Sequence, residues 1–197
     1  MSGDARRVWA VVPAKCFRRG KSRLAAMLPD DARARLARSL FDRVVRVAGA
    51  SPRVAGVVVA TDCLEVAERA RRAGASALIG AAPLRPSVDV ALGALAAAGA
   101  GGALVLMSDL PRLEPDDVTE LLRLLDDHEI VVAPDARDEG SNALALRLPS
   151  RITTCFGHDD SFARHVARAR AAGLTLAEYR HARTGFDVDL PRDLRQL

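Results

Sequence analysis

Residues 103–111 read ALVLMSDLP. Five apolar residues in a row make a short strand buried on both faces, and Ser108 and Asp109 follow where such a strand must emerge. Pro111 cannot donate to a ladder and ends the run. A carboxylate is thereby placed at the C-terminal end of a strand, and in an open α/β sheet that end borders the crevice where ligands collect. Taken alone, Asp109 could equally cap the turn that follows. A second acidic pair far along the chain, Asp187 and Asp189 in GFDVDLP, brings the ligand-binding reading forward.

Outward from that strand, apolar runs alternate with amphipathic ones. Residues 8–12, closed by Pro13, form a first, central strand. Residues 54–60 form a strand ending in Thr61 and Asp62, and residues 75–79 another. Between them lie helices over residues 30–48, with Asp30 as cap, and 64–72, closed by Gly74. In the first of these, Leu36, Leu40, Val44 and Val47 share a face. A helix over 86–98 precedes the Ala103 strand, and one over 115–125 follows it, with Pro115 suited to the first turn. Further strands are expected at 130–133, 142–148 and 174–179. A helix over 161–172, closed by Gly173, and a short C-terminal helix complete the chain. This alternation predicts a three-layer α-β-α fold, a mostly parallel mixed sheet covered by helices on both faces.

With 197 residues, 49% of them hydrophobic, the chain can bury a real core, and its length favours one domain. The formal charge is only +4, with Arg scattered among acidic residues. That suits a small anionic substrate rather than nucleic acid. Cys16, Cys63 and Cys155 are odd in number and widely spaced, so neither a disulfide framework nor a zinc site is indicated. No signal-peptide core and no apolar run of membrane-spanning length is present, which leads us to expect a reduced, cytoplasmic protein away from membranes.

Lys15, Arg18, Arg19, Lys21 and Arg23 crowd the loop after the first strand, around Gly20. Such a loop can cradle a polyphosphate through charge-assisted hydrogen bonds, or it can be a solvated basic loop. It is not a P-loop: Lys15 stands where that motif needs Gly, and Pro29 interrupts the helix it would launch. Asp187 and Asp189 are two apart, so in an extended segment both project from one face. Two carboxylates so close repel unless a cation lies between them. With Asp109 they supply three hard oxygen ligands of the kind Mg²⁺ takes, and Mg²⁺ commonly accepts phosphate oxygens as well. The alternative is that both are turn and cap residues before Pro191. Placed opposite the basic loop, the three aspartates would complete a nucleoside-triphosphate site.

Several short motifs recur here in order: Pro13-x-Lys15, Lys21-Ser22-Arg23-Leu24, Ser108-Asp109-Leu110-Pro111, and Asp135 through Gly140-Ser141-Asn142-Ala143-Leu144. Phe156-Gly157, Ser161-Phe162-Ala163-Arg164-His165 and Asp187-Val188-Asp189-x-Pro191 follow. Together they resemble the 2-phospho-L-lactate guanylyltransferase family along nearly the whole chain. The resemblance implies a GT-A type nucleotidyltransferase fold. It also implies transfer of GMP from GTP to a phosphorylated three-carbon acid, with release of pyrophosphate, in biosynthesis of coenzyme F-420. The acceptor in that family is 2-phospho-L-lactate, phosphoenolpyruvate or 3-phospho-D-glycerate.

By position, the resemblance makes Asp109, Asp187 and Asp189 the Mg²⁺ ligands, and Ser141, Gly157 and Ser161 the contacts to the phospho-acid. Lys15, Lys21, Ser22, Arg23, Asp62 and Ser87 become candidates for nucleotide binding, with Lys21 and Asp109 acting in catalysis. His165 is read either as orienting the acceptor loop or as a structural histidine. The chain departs from the common pattern at Arg85-Pro86-Ser87-Val88 and in the longer His158-Asp159-Asp160 insert. Two other readings stay open at this point: a related enzyme such as a pterin-cofactor cytidylyltransferase, and a non-catalytic nucleotide-binding protein.

Overall fold

Gly102–Leu106 is a strand, β4, and all five of its residues are buried. Around it the computed structural model, which describes residues 7–80 and 83–197, builds one sheet. Its other strands are β1 (Val8–Pro13), β2 (Val54–Thr61), β3 (Ser76–Ile79), β5 (Ile130–Pro134), β6 (Ser141–Arg147) and β7 (Leu176–Glu178). Their order is β3-β2-β1-β4-β6-β5-β7. The pairs of β1 with β2 and β4, of β2 with β3 and of β5 with β7 are parallel. Strand β6 runs against both its neighbours, β4 and β5. The sheet is therefore mixed and mostly parallel, as expected.

Strand alternation sorts the core into two layers. Ala10 and Val12 of β1 and Leu104 and Leu106 of β4 pack on α1 (Asp30–Ala50), α2 (Leu64–Arg72) and α4 (Pro115–Asp127). Val11, Ala103 and Val105 pack the other way, on α3 (Leu84–Ala97) and α5 (Ser161–Ala171). Each fully buried Leu or Val contributes about 1.5 to 3 kcal/mol. A third, smaller cluster joins Leu24 and Leu40 to Phe186 and Val188, and so pins the loop after β1 to the C-terminal segment.

Several boundaries differ from expectation. Asp30 is the first residue of α1 rather than its cap, and its carboxylate accepts a bond from Arg33 at 2.8 Å. Helix α3 starts two residues before Pro86, because a proline in the first turn removes an N–H that has no helical partner anyway. The expected 174–179 strand is the shorter β7, and the C-terminal helix is a 3-10 turn, Asp193–Gln196. Gly74 and Gly173 close their helices at φ +81° and +66°, where a side chain would be strained. Among the described residues no helix is long and apolar enough to cross a membrane.

Candidate active site

The loop leaving β1 makes two 3-10 turns, Phe17–Arg19 and Ser22–Leu24, and between them Lys21 adopts a left-handed conformation at φ 56°. For a residue with a side chain this costs on the order of 1 kcal/mol. It also turns Lys21 inward, 7% exposed, while Ser22 and Arg23 stay exposed. The Lys21 ammonium donates to Asp109 and, at 3.1 Å, to Asp189. Burial alone would lower its pKa, but the two carboxylates raise it, so Lys21 is a buried cation.

Asp109 stands just beyond β4, at the C-terminal edge of the parallel strands. Asp187 and Asp189 flank the buried Val188, whose packing beside Phe186 turns both carboxylates away from the core. One oxygen from each of Asp109, Asp187 and Asp189 lies within 4.8 Å of the others. Burial, with Asp109 and Asp189 nearby, pushes the Asp187 carboxyl up to about 6, against the pull of Lys21 and Arg137. The buried Lys21 ammonium, with the exposed Arg23 and with Arg137, which also serves Asp135, does not hold all three carboxyls in their ordinary range. Three hard oxygen donors so placed suit a divalent cation such as Mg²⁺.

Side chains the sequence reading did not single out for these roles hold the acidic segment in place. Asn142 in β6 donates to the carbonyl oxygens of Thr184 and Gly185 at 2.9 and 3.2 Å. The Asp193 carboxylate accepts from the backbone N–H groups of Asp189 and Leu190 at 3.0 and 2.6 Å. Arg137 faces Asp187 and pairs with the buried Asp135 at 3.0 Å. The Asn142 bonds span more than forty residues and show only in three dimensions, whereas the Asp193 and Asp135 contacts are made within a few residues of sequence.

Two cavities meet at this cluster. The first, of about 710 Å³, is bordered by Lys15, Thr61, Asp62 and Ser87. The second, of about 940 Å³, is bordered by Ser141, Gly157, Ser161 and Asp187. Lys15, Lys21, Asp109 and Asp189 line both. Ser22 and Arg23, expected with the nucleotide, border the second cavity, and Arg23 lies 3.5 Å from Asp189. Asp62 pairs with Arg19 at 2.8 Å. Lys15 is exposed and has no ion-pair partner among the described residues. Beside the first cavity, Cys16 and Cys63 come close to Glu65, a meeting their spacing does not announce, while Arg38 holds Glu65 at 2.7 and 2.9 Å.

The expected anion site at the start of α5 is built differently from a bare helix end. The N–H groups of Ser161 and Phe162 are spent on the carbonyls of His158 and Glu139. The hydroxyls of Ser141 and Ser161 are further donors beside the cavity, and Gly157 (φ +89°) forms an open turn next to them. His165 is fully buried, and burial, with Arg168 nearby, lowers its pKa to about 4, so the ring is neutral.

Comparison with known proteins agrees with this geometry. Residues 8–197 match the family model described as "Guanylyl transferase CofC like". The phosphoenolpyruvate guanylyltransferase of Sphaerobacter thermophilus is 40% identical over 194 residues, 95% of this chain and 91% of its own. The 3-phospho-D-glycerate guanylyltransferase of Phenylobacterium zucineum is 36% identical over 183 residues, 88% of this chain and 81% of its own. In fold, the chain is similar to a structure from Desulfovibrio desulfuricans reported as a candidate nucleotide-diphospho-sugar transferase. The TM-score is 0.77 at 18% identity, over 96% of this chain and 85% of that one. A paired cavity joined at an aspartate cluster and a family match spanning nearly every residue lead to one conclusion: the chain belongs to the CofC-like guanylyl transferases, a family of nucleotidyltransferases.

Proposed function

We propose that the chain transfers GMP from GTP to a phosphorylated three-carbon carboxylic acid and releases pyrophosphate, as a step toward coenzyme F-420. The observation that carries this reading is the junction of two cavities at Lys21, Asp109 and Asp189. A transfer reaction needs donor and acceptor on either side of one charged centre, held so that they react as if intramolecular. The first cavity, with Lys15, Asp62 and Ser87, takes the nucleotide. The second, with Ser141, Gly157 and Ser161, takes phosphoenolpyruvate, 3-phospho-D-glycerate or 2-phospho-L-lactate.

An oxygen of the acceptor phosphate attacks the α-phosphorus of GTP, and the bond from that phosphorus to the bridging oxygen of the β-phosphate breaks. The acceptor is already ionised at neutral pH, so no protein base has to remove a proton. Lys21 and Lys15, which line both cavities, stabilise the charge that builds on the departing pyrophosphate. Asp109, Asp187 and Asp189 would hold Mg²⁺, which would supply charge neutralisation and Lewis-acid polarisation of phosphoryl oxygens. A shared cation also explains why three carboxylates are gathered where one of them is already raised to about 6.

Asp187→Asn removes one hard ligand and some of the repulsion while keeping the shape. Turnover is expected to fall by orders of magnitude, about 10²-fold or more, and the thermal shift given by Mg²⁺ with GTP is expected to shrink. Near-normal turnover in Asp187→Asn and Asp109→Asn alike would overturn the metal assignment.

A further inference from the structure

His165 lies on α5 outside both cavities, yet its ring is wired to the acceptor side. The backbone N–H of Cys155 donates to Nε2 at 2.7 Å, and a backbone N–H can only donate. Nε2 must therefore carry the lone pair, and in a neutral imidazole the proton is then on Nδ1. Nδ1 lies 2.9 Å from the hydroxyl oxygen of Ser141, so the ring donates and Ser141 accepts. Phe156 packs edge-on against the ring at 4.9 Å between centroids, which fixes its plane.

This wiring decides what Ser141 can offer. Nδ1–H of His165 takes one lone pair of the Ser141 hydroxyl oxygen and so bars the hydroxyl proton from that direction, and the Ser141 backbone N–H is spent on the hydroxyl oxygen of Ser161 at 2.9 Å. Both serines are buried, and both hydroxyl protons are left without an acceptor among the described residues. They border the second cavity. A hydrogen-bond acceptor in place of Nδ1 would draw the Ser141 proton away from the cavity and turn a lone pair toward it, which would repel an anion.

We infer that His165 is a positioning residue that, through the tautomer fixed by Cys155, keeps the Ser141 hydroxyl proton free to donate to the anionic oxygens of the acceptor. The inference rests on the acceptor-site reading given above and adds the group that sets that site's polarity. It assigns the selection of an anionic acceptor to a buried residue that touches no substrate.

The test separates the two ring nitrogens. Asn places an amide near the Nδ1 position and can keep the donor to Ser141, whereas Gln reaches toward the Nε2 position and keeps only the acceptor for Cys155. We expect His165→Gln to raise the KM for phosphoenolpyruvate by roughly tenfold or more, the range for a hydrogen bond to a charged group, with the KM for GTP unchanged. His165→Asn should stay near the parent value. In a Ser141→Ala background His165→Gln should add nothing further to that KM, because its effect passes through Ser141.

Equal effects of Asn and Gln, or an effect that persists undiminished in Ser141→Ala, would overturn the inference and leave His165 a packing residue. If His165→Gln fails to fold, His165→Asn carries the test, and a tenfold loss of acceptor affinity in it overturns the inference. If Ser141→Ala leaves the acceptor KM unchanged, the acceptor-site reading fails. A raised KM in Ser141→Ala with no change in His165→Gln fails the inference alone.

Discussion

Lys21 holds its ammonium between two carboxylates that lie 88 and 168 residues further along the chain. The sequence makes its charge and its place after a buried strand legible, and so suggests a phosphate anchor. The pairing is not legible, because it depends on a left-handed backbone at Lys21 and on a C-terminal segment that returns to the centre of the sheet. The same holds for His165, whose helical position is plain from the sequence while its hydrogen-bond partners come from β6 and from Cys155, ten residues earlier. Lys21→Ala is expected to weaken GTP binding by about 1.5 to 3 kcal/mol, the range for hydrogen bonds to charged groups. Calorimetry in the presence of Mg²⁺ reads this directly, and unchanged affinity would reduce Lys21 to a counter-ion for the aspartates.

Helix α4 illustrates how an element on one face of the sheet steadies a segment that carries the site. Its Asp117, fully buried, accepts from the backbone of Glu114 at 2.9 Å, which closes a capping box with Glu114. It also accepts from Tyr179 at 2.9 Å and from Arg183 at 2.9 and 3.0 Å. Burial would raise the Asp117 pKa, but Arg183, the Glu114 N–H and Tyr179 outweigh it and hold the carboxyl below its usual range. A depressed carboxylate contributes stability that is complete above the unfolded value of about 3.9 and is lost as pH falls through the lower folded value. Asp117→Asn is expected to destabilise the protein by roughly 2 to 3 kcal/mol at neutral pH, since it weakens several charge-assisted bonds at once. Chemical denaturation at pH 7 and again near pH 3 checks this, with a smaller difference expected at the lower pH. An equal difference at both would place the effect elsewhere.

Elements with a strong period and a clear stop were legible. Strand β4 is bounded by its apolar run, and α4 by Pro115 in its first turn. The direction of β6 was not, because an apolar run reads the same whether its neighbours are parallel or antiparallel. The placement of β7 at the sheet edge beside β5 likewise follows from pairing, which no local pattern encodes.

Across the molecule, alternating strands and helices supply a sheet whose parallel edge is lined by two cavities, which share Lys21, Asp109 and, from the returning C-terminal segment, Asp189. The α-β-α class is legible from the alternation, and the three aspartates from their chemistry and family position. That Asp109 reaches Asp187 and Asp189 depends on the Asn142, Asp193 and Asp117 contacts, which hold the returning segment and leave no periodic trace. The site is therefore assembled by the local Asp193 cap and by the long-range Asn142 and Asp117 bonds, on a fold whose layer class the local patterns make legible and whose strand pairing they do not.

Guanylyl transfer is measured directly as product formation: the purified chain with Mg²⁺, each nucleoside triphosphate in turn, and phosphoenolpyruvate, 3-phospho-D-glycerate or 2-phospho-L-lactate. We predict that pyrophosphate appears in equal amount with a guanylylated acid, identified by mass, only with GTP and at least one of the three acceptors. Binding of GTP with no pyrophosphate released for any acceptor, or transfer from CTP in place of GTP, would contradict it.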